Sequence, residues 1–268
     1  MKNKILLATG SLYNYGLSRV FKFASESGFD GIELVIDDCW DTRQVNYLKS
    51  LVKFYNLPIF SVHSAMEFVN SFGADPKEKL NKSIALAKEI DTPILVVHPS
   101  IAKQPEFYLW FQKSFADLEK QARNVKLAVE NMPKAHQKDN NSKMVFENYD
   151  LEEFSSFNQI NLDISHLATT DQNLLSVLDK IKSKLIQIHL SDSKRCKDPD
   201  RVDSLIDDHL IPGKGILPLK EFLNKLSKTN FKGNIVIELI PENINAGQSD
   251  TIIVDSLKKS IEYVKANY

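Results

Sequence analysis

Eight short apolar runs recur along this chain, separated by longer stretches of helical periodicity. That alternation restricts the possible folds more than any other feature. The runs are "KILLAT" (4–9), "GIELVI" (31–36), "PIFSVH" (58–63), "PILVVH" (93–98), "KLAVE" (126–130), "INLD" (160–163), "LIQIH" (185–189) and "NIVIEL" (234–239). Most are continuous rather than alternating, which suits strands buried on both faces, as in parallel sheets. Between them lie amphipathic segments such as "LSRVFKFASESG", "TRQVNYLKSLVKFYN" and "DPKEKLNKSIALAKEI", the last opening on Asp75 and Pro76, a capping and first-turn pair. After the fifth run the helical pattern is weak, and "NYDLEEFSSF" is its short candidate.

Strands alternating with helices define βαβ units and a parallel sheet. Eight units in 268 residues predict a single (β/α)8 TIM barrel spanning residues 1–268, since such barrels take roughly 250 residues. A doubly wound open sheet is the alternative, but no Gly-x-Gly-x-x-Gly follows the first run, so a dinucleotide site is not expected. Two connections are long, 131–149 and 190–217, and long connections in compact folds often carry function.

The last residues of the runs are polar in a consistent way. The third ends in His63, the fourth in His98, the fifth in Glu130 and the sixth in Asp163, with His166 three residues on. The seventh ends in His189, the eighth carries Glu238 near its end, and "DDHLIPGKG" adds Asp207 and His209. In a barrel these ends converge on the C-terminal rim, where active sites sit. Five of the six histidines fall at these places. A lone histidine after an apolar run is usually a hydrogen-bonded core residue, but five converging with carboxylates make a set of divalent-metal ligands. A cation also explains how clustered acids tolerate one another. His136, in the polar loop "KAHQKDNNSK", reads as solvent-exposed, and Glu33 falls near the rim, where a support behind the ligands or a purely structural role is also open.

The formal net charge of -1 does not advertise nucleic acid. Cys39 and Cys196 give neither a disulfide framework nor zinc spacing. With no secretory pattern in "MKNKILLATGS" and no run of about 20 apolar residues, the expectation is a soluble cytoplasmic protein. Nothing in these patterns fixes an oligomeric state.

The residues from "SGFDGIEL" to "IVIEL" resemble the xylose-isomerase-like TIM barrels. That superfamily includes sugar (phosphate) isomerases and epimerases and abasic-site endonucleases of the endonuclease IV type. Resemblance to the first group implies one divalent ion held by Glu130, Asp163, His189 and Glu238. The two glutamates would then shuttle a proton beside a carbonyl, and His166 and Arg195, the latter from "HLSDSKR", would touch substrate oxygens. Lys194, and Lys214 with the amides of "PGKG", would suit a phosphate, and Glu33 is a further substrate-side candidate. Resemblance to the second group implies three zinc ions on His63, His98, Glu130, Asp163, His166, His189, Asp207, His209 and Glu238. All nine positions carry the expected residue types, and "HPS", "DISH", "HLSDSK" and "DDH" look like that group's motifs. The chain departs from it in lacking a tyrosine in "SAMEF" after His63 and in placing acids in "DDCWDTR", changes that weaken DNA binding more than metal chemistry.

The expectation is therefore a metal-dependent sugar or sugar-phosphate isomerase or epimerase with one to three zinc, manganese or cobalt ions per chain. Its alternative is a zinc-dependent phosphodiesterase acting at abasic sites, with DNA as partner. A barrel that merely binds a small ligand would have no use for both glutamates.

Overall fold

In the computed structural model, residues 3–66, 69–99, 105–133, 151–197 and 205–268 are described. Eight parallel strands close into a barrel in the order β1 to β8, with β8 pairing back onto β1. The strands are β1 (Lys4–Ala8), β2 (Gly31–Val35), β3 (Ile59–His63), β4 (Ile94–Val97), β5 (Lys126–Glu130), β6 (Ile160–Asp163), β7 (Leu185–Leu190) and β8 (Asn234–Ile237). Each coincides with one apolar run to within a residue or two. The helices are α1 (Leu17–Ser27), α2 (Val45–Tyr55), α3 (Pro76–Glu89), α4 (Pro105–Ala122), α5 (Leu151–Phe154), α6 (Ile164–Ala168), α7 (Leu174–Ile181), α8 (Leu219–Ser227) and α9 (Asp250–Asn267). The expected short helix after the fifth strand is α5. Helix α6 was not expected.

Local chemistry sets several boundaries. Asp75 accepts a hydrogen bond from the Glu78 amide and Pro76 opens α3, so an otherwise orphaned donor is satisfied where proline costs nothing. Helix α1 stops at Gly28, whose φ of 86° lies in the left-handed region that glycine enters without strain. Asn173 caps α7 by accepting from the Ser176 amide.

The main core lies between the barrel and its helices, where outward strand residues such as Leu34, Val62, Leu127 and Ile188 meet Phe21, Leu48, Phe111 and Leu178. Because the pleat alternates, every second residue points inward instead. Inside the barrel, one apolar group joins Leu6, Ala8, Val35 and Val236, and another joins Ile94, Val96 and Ala128. The pairing of β2 with β3 and of β6 with β7 each shifts by a residue. These bulges add Phe60 and Ile186 to the two inner groups and keep Ser61, His63, Gln187 and His189 on the inward face.

The expected long connections fall partly outside the described residues, as does His136. What is described of the seventh connection is pinned by Asp192. Its carboxylate accepts from the amides of Ser193, Gly213 and Leu217, and its backbone exchanges two hydrogen bonds with Leu210. No helix among the described residues is long and apolar enough to cross a membrane.

Candidate metal centre

Counting inward positions to the rim gives Ala8 and Val35 on β1 and β2. His63, His98, Glu130, Asp163, His189 and Glu238 follow from β3 to β8, with His98 and Glu238 just past their strand ends. The β3–β8 side of the mouth is thus a continuous arc of metal-type side chains, and the β1–β2 side is apolar.

The ligand atoms fall into three groups, each spanning no more than 4.8 Å: His63, His98 and Glu130; Glu130, Asp163, His189 and Glu238; and Asp163, His166 and His209. Glu130 belongs to the first two groups and Asp163 to the last two. Glu130 Oε2 lies 3.2 Å from His63 Nε2 and 3.3 Å from His98 Nε2, and its Oε1 lies 3.2 Å from His189 Nδ1. His189 Nδ1 is also 2.6 Å from Glu238 Oε2 and 3.6 Å from Asp163 Oδ2. Asp207 Oδ2 sits 3.2 Å from both His166 Nε2 and His209 Nε2. The rings of His63 and His98 meet edge to face at 4.7 Å, and those of His166 and His209 at 5.6 Å.

The opening of the sixth connection answers why a buried strand ends in Asp-x-x-His. Asp163 ends β6 and caps α6, accepting from the His166 amide at 2.7 Å. That single helical turn swings the His166 ring back over the mouth. Asn131 holds it there. Its side chain exchanges two 2.8 Å hydrogen bonds with the backbone of Asp163, and its carbonyl receives His166 Nδ1 at 2.8 Å. His209 is seated by the Ser165 hydroxyl on its amide and by Asn243 on its carbonyl.

Burial and opposite charge pull against each other at several of these groups. Burial works against the charged form of His63, but Glu130, Glu33 and Glu238 outweigh it and hold the imidazole up at about 9. His209 is likewise disfavoured by burial and held up at about 10 by Asp207 and Asp163. His166 and His189 are likewise raised well above the ordinary value, carboxylates outweighing burial. Glu238, pushed up by burial, is pulled down to about 2 by His189. Burial wins only at Asp163, which is raised. Without a cation, then, protons shared between imidazole and carboxylate hold the cluster together.

A metal fits this cluster better than those protons do. His98 Nε2, Asp163 Oδ2, His189 Nδ1 and Asp207 Oδ1 are buried without an aligned hydrogen-bond partner, although oppositely charged atoms lie close to most of them. Close but misaligned nitrogen and oxygen atoms are what a shared ion reconciles, since each directs a lone pair at a common point.

The other expected site residues divide. Arg195 is half-buried on the rim, its guanidinium donating to the Thr170 carbonyl at 2.8 Å, and Lys194 is exposed beside it. Glu33, a candidate either for the substrate side or for a support behind the ligands, stands one pleat repeat below the rim and is fully buried. Its Oε2 accepts from Ser61 Oγ at 2.8 Å and from Gln187 Nε2, and its Oε1 lies 2.8 Å from His189 Nε2. The reason is the pleat: Val35, not Glu33, is the inward rim position of β2. Asn131, Ser61 and Gln187 went unread in the sequence. The last two could have been found by stepping back two residues from His63 and His189.

Residues 21–265 match the family described as the xylose isomerase-like TIM barrel, and the chain belongs to that family. An uncharacterised protein of Mycobacterium leprae is 27% identical over 282 residues, covering 97% of this chain and 98% of its own length. The fructoselysine 3-epimerase of Shigella flexneri is 23% identical over 256 residues, covering 85% of this chain and 87% of its own. Among solved structures, an IolI protein with a bound zinc atom superposes with a TM-score of 0.72 at 16% identity, covering 99% of each chain.

Proposed function

We propose that the chain is a divalent-metal-dependent isomerase or epimerase of a small sugar or sugar phosphate, folded as one domain and working in the cytoplasm. The observation that carries this reading is the middle ligand group. Around the rim its order is Glu130, Asp163, His189, Glu238, so the two glutamates stand at opposite ends with the other two ligands between them.

Zinc, manganese or cobalt bound there would polarise a sugar carbonyl and its neighbouring hydroxyl, acidifying the carbon between them. Glu238, whose side chain retains 19% exposure, reaches the mouth and is placed to take a proton from that carbon. Glu130, at the other end of the arc, would return a proton to the opposite face. Removal on one face and return on the other inverts the carbon; return to the neighbouring carbon isomerises the sugar. His166 and Arg195 would hold substrate oxygens, and exposed Lys194 would meet a phosphate if one is present. The name of the Shigella relative supports sugar epimerisation, and the zinc of the IolI protein supports the ion. The two cysteines, free and exposed, suit a reducing compartment.

One observation favours a second reading. Three ligand groups sharing Glu130 and Asp163 make a place for two or three ions, as phosphodiester hydrolysis at abasic DNA would use. That reaction needs no proton shuttle, and Glu130, within 3.5 Å of four imidazoles, would serve there as a bridge between ions.

The test is a panel of ketoses and their phosphates in heavy water with metal-loaded protein. Deuterium at the carbon beside the carbonyl supports the first reading. No exchange with any sugar, together with catalytic nicking of an abasic oligonucleotide, replaces it with the second.

A further inference from the structure

Below the ligand arc lies a buried polar layer that the proposed reaction does not use. Glu33, Ser61 and Gln187 are fully buried, and Asn234 is nearly so. Asn234 Nδ2 donates to Gln187 Oε1 at 3.3 Å, Gln187 Nε2 and Ser61 Oγ both donate to Glu33 Oε2, and Glu33 Oε1 faces His189 Nε2 at 2.8 Å. Glu33 has no lysine or arginine partner among the described residues. A carboxyl group with no role is costly to bury.

We propose that Glu33 is the positioning residue of the centre, fixing His189 as the Nε2–H tautomer so that Nδ1 presents its lone pair to the metal. This rests on the metal reading of the Glu130, Asp163, His189 and Glu238 group. Three features carry it. First, His189 turns Nδ1, not Nε2, toward Glu130, Asp163 and Glu238, so the proton must sit on Nε2 for Nδ1 to ligate. Second, His189 Nε2 and Glu33 Oε1 each lack an aligned hydrogen-bond partner, yet they lie 2.8 Å apart in a site closed to solvent. Each is the group that can satisfy the other once an ion on Nδ1 fixes the ring. Third, both remaining neighbours of Glu33 are donors. Only a carboxylate can accept from Ser61, Gln187 and His189 together.

That last point makes glutamine a sharp probe. In Glu33→Gln the side-chain oxygen can serve the Ser61 and Gln187 donors, leaving the amide NH2 against His189 Nε2. The ring then relieves the donor–donor clash by moving its proton to Nδ1, where it blocks the ion. The structural role of the layer is separated by Ser61→Ala, which removes one donor to Glu33 but leaves Glu33 facing His189.

The experiment uses full-length protein with zinc as the probe. Zinc affinity is measured by competition with a chromophoric chelator, and the His189 nitrogens are observed by 15N NMR of zinc-loaded and metal-free protein. Wild type should show a slowly exchanging Nε2–H and a metal-shifted Nδ1. E33Q should bind zinc roughly 10–100-fold more weakly and, zinc-loaded, lose the slowly exchanging Nε2–H. S61A should lower the unfolding midpoint without moving the tautomer. Wild type that ligates zinc through Nε2 overturns the proposal even if E33Q fails to fold. So does an E33Q protein that binds zinc as tightly as wild type while wild type retains it. Wild type that retains no zinc at all overturns the metal reading itself, and the Glu33 assignment with it.

Discussion

Glu130 and Glu238 are chemically the same residue in different company. Glu130 is 1% exposed and touches four imidazoles, whereas Glu238 contacts one and opens to the mouth. On the proposed reaction, the proton-moving role therefore falls most heavily on Glu238. In Glu238→Gln an amide replaces the carboxylate without changing its size, so the barrel should fold and an oxygen ligand should remain. Deuterium uptake by the sugar should drop by about 10²–10⁴-fold, the range of a lost acid–base group, with zinc supplied in excess so that variant and wild type are compared at matched metal content. Exchange at the wild-type rate would remove the two-glutamate mechanism.

At the scale of elements, the turn from β6 into α6 and its clip from β5 decide whether the third ligand group forms. Asn131→Ala strips two hydrogen bonds from the buried backbone of Asp163. Each unsatisfied group costs about 1–3 kcal/mol, and the Asp163 carboxylate and His166 ring lose their reference point. Urea unfolding should show a lower midpoint at unchanged slope, and the last equivalent of zinc should bind more weakly; a midpoint equal to wild type would make the clip idle. This turn also marks where the sequence stops being readable. The strands were legible because a barrel strand buried on both faces must be apolar until it meets the rim, so the polar residues ending the third to seventh runs announced the site. That rule located His63, Glu130, Asp163 and His189 on the rim without any geometry. It left Glu33 open because a polar residue inside a run can serve the barrel interior as easily as its mouth, and only the pleat count from Val35 separates the two. It failed at Asn131 and α6 because a side-chain clip between neighbouring strands depends on register, which no periodicity records.

At the scale of the molecule, the barrel concentrates five carboxylates, Glu33, Glu130, Asp163, Asp207 and Glu238, against five imidazoles. Cations or protons must balance them, and the two compete. On the sugar reading the middle group suffices, so titrating chelated protein with zinc should saturate deuterium exchange at one equivalent even if thermal stability keeps rising. A requirement for two or three equivalents would point to hydrolysis. The competition also fixes how stability varies with pH. His63 and His209 are raised from 6.5 to about 9 and about 10 in the folded protein. Their contribution to metal-free stability is therefore full below 6.5 and is lost as pH climbs through 9 and 10, because the folded state holds protons that the unfolded chain has already released. Glu238 works oppositely, with its pKa lowered from 4.5 to about 2: its contribution is present above 4.5 and lost as pH falls through 2. Chelated protein should thus be most stable from these groups between 4.5 and 6.5 and should lose melting temperature on the alkaline side. Zinc reverses that slope, since His189 of the middle group, raised in the same way, must shed its proton for the ion to bind. The rise in melting temperature on adding zinc should be small near about pH 6 and large near about pH 9, measured by scanning calorimetry at matched ionic strength. An increment that stays constant across that range would mean the ion does not displace these protons and binds outside the cluster.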